Sequence, residues 1–182
     1  NKTPLELFYD TSLTTGVAVG TDLRDNVVLA IETLGNGFLE GDVASKLQRD
    51  ERATQEFYAE ILHVIYRMLF LLFAEQRGLL GRRHSLYAEE YSITALRVQA
   101  EGDYSKEERH ADLWERLKVT FQMVKLGVPE MDIFGYNGAL FDEDKTQLLN
   151  GLSCRNGALL EAARYLTCVE KDHVLTRISY AD

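Results

Sequence analysis

Two prolines and two cysteines in 182 residues leave little from which to make a linker or a disulfide framework. With no low-complexity tract either, the composition argues against a disordered chain. Cys154 and Cys168 match no metal or redox spacing, and read as reduced thiols of a cytoplasmic protein. No secretory signal is present. A bilayer span needs roughly 20 consecutive apolar residues. The greasiest unbroken run, Met68 to Ala74, is closed by Arg67 on one side and by Glu75, Gln76 and Arg77 on the other. A buried helix is therefore expected there, and no membrane partner. A basic balance is missing as well: 20 Lys and Arg against 29 Asp and Glu give a net charge of −9. A free-standing DNA binder takes most of its affinity from phosphate contacts and is usually basic. Any nucleic-acid role is thus local, or assisted by other domains.

The short motifs of common chemistries are missing too. There is no GxGxxG or GxxxxGK[ST] phosphate loop and no GxSxG elbow. His63, His84, His110 and His173 are scattered, with no HExxH pairing. FDEDKT puts Asp142, Asp144 and Thr146 at positions 1, 3 and 5 of a calcium loop, but Gln147 and Ser153 stand where Gly and Glu are needed. No residue is assigned to catalysis, to a cofactor or to a metal.

What the sequence does have is helical periodicity. In the long central segment, Phe57, Ile61, Ile65, Met68 and Leu72 recur at three- and four-residue spacing. Glu56, Glu60, His63 and Arg67 form the opposite stripe, and Gly78 is placed to stop the helix. A helix is expected from Asp22 to Leu34, ended by Gly35, with GNGFLEG as a turn. Another is expected around Val43 to Asp50, and a short one from Tyr91 to Ala100. Leu113, Leu117, Thr120, Phe121 and Val124 mark a further helix, with Trp114 at its margin, Glu115 and Lys118 able to pair, and Gly127 and Pro129 ending it. A short helix from Glu143 to Leu149 would take Asp142 as N-cap, and a strong one covers Ala158 to Val169. LTRISYAD alternates like a short strand or an extended exit, and the first segment reads as a short helix followed by a loop. The fold class is all-α: one compact multi-helix domain over residues 1–182 around one long hydrophobic helix, with little or no sheet.

Two cationic features stand out. Arg77, Arg82 and Arg83 fall within seven residues, with His84 adjacent and no acid among them. Gly78 and Gly81 would let that backbone come close to a ligand, so the loop could contact DNA phosphate. The bland reading is a solvated loop, or salt bridges to an acidic surface. Arg67, inside an apolar helix, needs a partner. A structural ion pair with Glu32 or Glu75 is the expectation.

LELFYDTSLTTGVAVGTDLRDNV, GNGFLE, FYAEILHVIYRMLFLLFAEQRGLL, YSITALR, LWERLKVTFQMVKLG, FGYNGALFDED, NGALLEAARYLT and RISYAD together resemble one family. It is the helical region of the large bacterial Type IIG/IIL fused restriction–modification enzymes, and of related adenine-specific methyltransferases of phage-exclusion systems. The resemblance keeps its order over nearly the whole chain; RMLFLLFAEQRGLL and GALFDED are its most specific pieces. In that family a PD-(D/E)xK nuclease commonly precedes this region. An S-adenosylmethionine-dependent adenine methyltransferase with an NPPY motif follows it, and a target-recognition domain comes later.

This chain has no NPPY, no glycine motif for the methyl donor and no convincing PD…ExK, so no catalytic residue of the family carries over. The segment itself would be no enzyme. S-adenosylmethionine, and Mg2+ where a nuclease is present, would belong to the parent protein. The start at NKTPLELFYD and the end at RISYAD suggest a piece of that longer protein. What the resemblance implies is a non-catalytic helical connector holding flanking nuclease and methyltransferase domains in register on DNA. The competing expectations are a protein–protein scaffold with no DNA contact of its own, and a small independent enzyme.

Overall fold

The computed structural model describes residues 21–81, 84, 86–104, 110–136, 138–171 and 174–180. The sequence expectations for the first segment, through Gly20, and for Arg82, Arg83 and His173 lie outside the described residues. The fold is all-α, with one two-stranded antiparallel hairpin among the described residues.

Helix α1 covers Thr21–Phe38, α2 Val43–Arg49 and α3 Glu51–Gln76. After a π turn at Tyr87–Tyr91 come α4, Ile93–Glu101, and α5, Asp112–Leu126. Two 3-10 turns, Ala139–Phe141 and Glu143–Thr146, lead into α6, Gln147–Asn150, and then α7, Asn156–Thr167. Strand β1, Cys168–Lys171, pairs with β2, Val174–Arg177, with Cys168 opposite Arg177 and Lys171 opposite Val174.

Helix α3 is the axis of the molecule. It starts at Asp50, whose carboxylate accepts from the amides of Arg52 at 3.0 Å and Ala53 at 3.2 Å, satisfying donors that have no partner within the helix. It stops in a Schellman motif: Leu79 N donates to Ala74 O and Gly78 N to Glu75 O, with Gly78 at φ 67°. By length and composition α3 could cross a bilayer. Here its apolar face is packed in the protein interior instead, with Val64, Ile65, Met68 and Leu71 fully buried.

Helix α1 runs four residues past the expected stop, through Gly35, Asn36 and Gly37 to Phe38. Packing against α7 gives the reason. A Cβ on Gly37 would lie 2.5 Å from Ala158 Cβ and 2.9 Å from Cys154 Sγ. The glycine permits a close helix crossing rather than making a turn, and tertiary contact outweighs its poor helix propensity. The turn comes later, at Gly41, with φ 62°. Asn26 on α1 completes the joint by donating to Tyr165 O at 3.0 Å and Cys168 O at 2.8 Å.

Helix α5 ends at Gly127, as its sequence indicates, and Glu115 pairs with Lys118 at 2.8 Å. Trp114 is not at the margin: it is fully buried, edge-on to Phe38 at 5.1 Å, and its indole donates to Leu149 O at 3.2 Å. Asp142 makes no side-chain cap to the turn that follows it. Of the tail LTRISYAD, Leu175 to Arg177 lie in one arm of the hairpin. The other arm, β1, takes Cys168 and Val169 from the range expected to be helix, and α7 ends at Thr167.

Candidate functional site

The stripe of α3 that reads as its wet face is the second interface of the molecule. Glu60, His63 and Arg67 stand three and four residues apart, hence on one side of the helix. That side receives the chain from Leu140 to Leu149. The Glu60 carboxylate accepts from Leu148 N at 3.1 Å and Leu149 N at 2.9 Å, so Glu60 caps α6 from another helix.

Arg67, only 3% exposed, donates through Nε to Leu140 O at 2.8 Å, through Nη2 to Asp142 O at 2.7 Å and through Nη1 to Thr146 Oγ1 at 3.0 Å. Its guanidinium lies over the rings of Phe121, at 5.2 Å, and Phe141, at 5.9 Å. The expected ion pair with Glu32 or Glu75 is not formed, nor is one with any other carboxylate among the described residues. A planar fork of donors can satisfy two backbone carbonyls and a hydroxyl at once, and Asp142 O accepts from Lys145 N at 3.1 Å as well. Burial lowers the Arg67 pKa to about 10, against the raising influence of Asp142 and Glu60. The side chain therefore stays charged at neutral pH. His63, half-buried beside it, has its pKa lowered first by burial and then by Arg67.

Glu75 is a second acceptor, partly buried, two turns further along α3. Its carboxylate takes the Tyr87 hydroxyl at 2.7 Å, Ile93 N at 2.8 Å, Thr94 N at 2.9 Å and the Thr94 hydroxyl at 2.8 Å. It fastens the end of α3 to the start of α4, where free helix amides favour a negative charge. Burial still raises its pKa above the ordinary carboxylate value, with the hydrogen bonds opposing.

The arginine loop leaves α3 directly after this joint. Arg77 is exposed, with its guanidinium 5.3 Å from the centre of the Phe73 ring. His84 is half-buried; its amide donates to Gly81 O at 3.3 Å, and its Nδ1 is buried without a hydrogen-bond partner. Gly81, at φ 54°, donates its amide to Asp132 O at 3.2 Å. The space above it is filled by Tyr87, whose Cδ1 would stand 2.0 Å from a Cβ. So the close approach that Gly81 allows is to Tyr87. Arg77 is the described member of the cluster that faces solvent.

An open cleft of about 530 Å3 lies beside α7, lined by Thr33, Asn36, Tyr104, Glu161 and Arg164 among others. Arg155 at its rim is held by Glu40 at 3.6 Å. Asp103 and Glu161 offset the two arginines there, so the cleft favours no ligand of a single charge sign. Among the described residues no group of three His, Cys, Asp or Glu side chains is placed to hold a metal ion.

Sequence reasoning missed the roles of Glu60 and Glu75. Each looks like an ordinary helix carboxylate, and its partners stand 88 and 18 residues away. Their one legible trace is that both sit on the polar stripe or at the polar end of a helix otherwise built for burial. No family model, no curated protein and no solved structure matches this chain.

Proposed function

We propose that this chain is a non-catalytic helical connector of a Type IIG/IIL restriction–modification enzyme, holding nuclease and S-adenosylmethionine-dependent methyltransferase modules in register on DNA. One observation carries the reading: the phrases that resemble the family are the ones that meet. Arg67 and Glu75 both belong to RMLFLLFAEQRGLL. Arg67 bonds into GALFDED, and Glu75 into YSITALR. Gly37 of GNGFLE packs on Ala158 of NGALLEAARYLT, and Ile178 of RISYAD donates to Thr167 O at its end.

A spacer needs this arrangement, because a body whose elements are bonded to one another keeps its flanks at a fixed distance. Arg67, buried, and Glu75, partly buried, are engaged in joints and do not converge on a cleft. The remaining cationic feature is the arginine loop, and in this reading it touches a DNA phosphate where the flanking domains bring it.

Binding of duplex DNA by the chain, across a salt series and beside an Arg82→Ala/Arg83→Ala variant, tests the reading. Weak binding that falls with salt and with the substitution is expected, since each lost phosphate contact lowers the salt dependence by roughly one unit of slope. Absence of binding at low salt removes the direct DNA contact. It favours the second reading, a protein–protein scaffold, to which Leu126 and Phe134, 78% and 70% exposed, give separate support.

A further inference from the structure

Leu126 and Phe134 are the two most exposed large apolar side chains among the described residues. They are not on a loose end. Gly127 has φ 83°, and a Cβ on it would lie 2.7 Å from Gly135 N; a Cβ on Gly135 would lie 3.0 Å from Leu126 O. Tyr136 N bonds Val124 O at 2.8 Å, and Val128 and Ile133 form an antiparallel bridge. The loop is thus closed onto the last turn of α5, and the two apolar residues flank the point where its backbones touch. Val119, two turns back on the outer face of α5 and 42% exposed, extends the strip.

The cations of the elements around this strip are engaged, Arg116, one turn before Val119, by Gln99 Oε1 at 3.1 Å. Lys118 is taken by Glu115 at 2.8 Å, Lys125 by Asp142 at 3.3 Å and Lys145 by Asp144 at 3.8 Å. Glu130 lies in the loop between Leu126 and Phe134. Glu143 accepts from Gln122 Nε2, on the outer face of α5, at 3.2 Å. Among the described residues neither carboxylate has a cation within ion-pair distance.

We propose that the outer face of α5, with Phe134, docks a cationic amphipathic protein segment. Apolar side chains of that segment seat on Leu126 and Phe134, and its flanking Lys or Arg face Glu130 and Glu143. Charge complementarity selects this occupant. Nucleic acid would bring phosphates against carboxylates. A second copy would bring the same carboxylates against each other. The proposal does not depend on the DNA-enzyme reading, because Val119, Leu126 and Phe134 take no part in it; the arginine loop meets this loop at Gly81 N, which donates to Asp132 O at 3.2 Å.

The test is titration of the whole chain with a synthetic helical peptide bearing one leucine face flanked by lysines. A glutamate-for-lysine counterpart and a scrambled peptide of the same composition are the controls, with backbone amide shifts as the readout. The lysine peptide is expected to bind and to move amides from Val119 to Phe134. Leu126→Ser/Phe134→Ser is expected to weaken binding at least roughly tenfold, as hot-spot truncations do. Its melting temperature should be unchanged, since both side chains are exposed. Binding undiminished by that variant, equal binding of the scrambled peptide, or shifts elsewhere would overturn the proposal. So would concentration-dependent dimers of the wild type that the double substitution abolishes, because they would assign the face to a second copy.

Discussion

Arg67 replaces an ion pair with three hydrogen bonds to neutral acceptors, and that choice decides what its loss does. Arg67→Met would take their donor from Leu140 O and from the buried Thr146 Oγ1, while Asp142 O would keep only Lys145 N at 3.1 Å. The expected cost is roughly 3 kcal/mol by urea denaturation, the range for orphaned buried polar groups. Arg67→Lys should recover only part of this, since one ammonium cannot fork to three separated acceptors. Glu75 makes a pH prediction. Burial holds its folded-state pKa above the ordinary 4.5. In the window above 4.5 the folded chain therefore keeps a proton that the unfolded chain has released. The stability linked to Glu75 is fully present below 4.5 and is lost as pH rises through the folded value. Subtracting the stability–pH curve of Glu75→Gln from that of the wild type should show this decline. A flat difference over that window would contradict it. That Arg67 needed a partner was legible in the sequence; which partners was not, because two of its acceptors are backbone carbonyls of a loop more than 70 residues away. Sequence patterns report side-chain type, and a carbonyl looks the same at every position.

At the scale of the element, the central helix, its stop at Gly78 and the helix ending at Gly127 follow directly from periodicity and glycine placement. The errors come where a glycine serves packing. Gly35 and Gly37 read alike in GNGFLEG, yet they sit in different surroundings. Gly37 is pressed against Ala158, while the nearest atom to a Cβ on Gly35 is Phe57 Cε1 at 3.8 Å. Gly37→Ala should destabilise the protein by roughly 1–3 kcal/mol through forced separation of α1 and α7. Gly35→Ala should stabilise it by roughly 0.5–1 kcal/mol through helix propensity. Thermal melts of the two variants would separate a packing glycine from one with room for a side chain; equal shifts would refute the distinction. The hairpin was half legible for a related reason. Its β2 arm alternates, whereas β1 directly continues α7 and owes its strand conformation to pairing with β2 and to the Asn26 bond at Cys168 O.

For the molecule as a whole, the polar stripe of α3 works as a rail. Glu60, Arg67 and Glu75 each reach out of the helix and bond another segment. The candidate site read from the sequence, the arginine loop, is only partly within the described residues. Arg77 faces solvent there and Gly81 is filled by Tyr87. The connector reading requires that the rail make one cooperative unit, since a spacer that opens locally fixes no distance. Native-state hydrogen exchange against denaturant tests this most directly. The amides of Leu148 and Leu149, bonded to Glu60, and of Ile93 and Thr94, bonded to Glu75, should exchange at the same free energy and denaturant slope as core amides of α3. If they exchange at markedly lower free energy with no denaturant slope, the segments open one by one and the rigid-connector account fails.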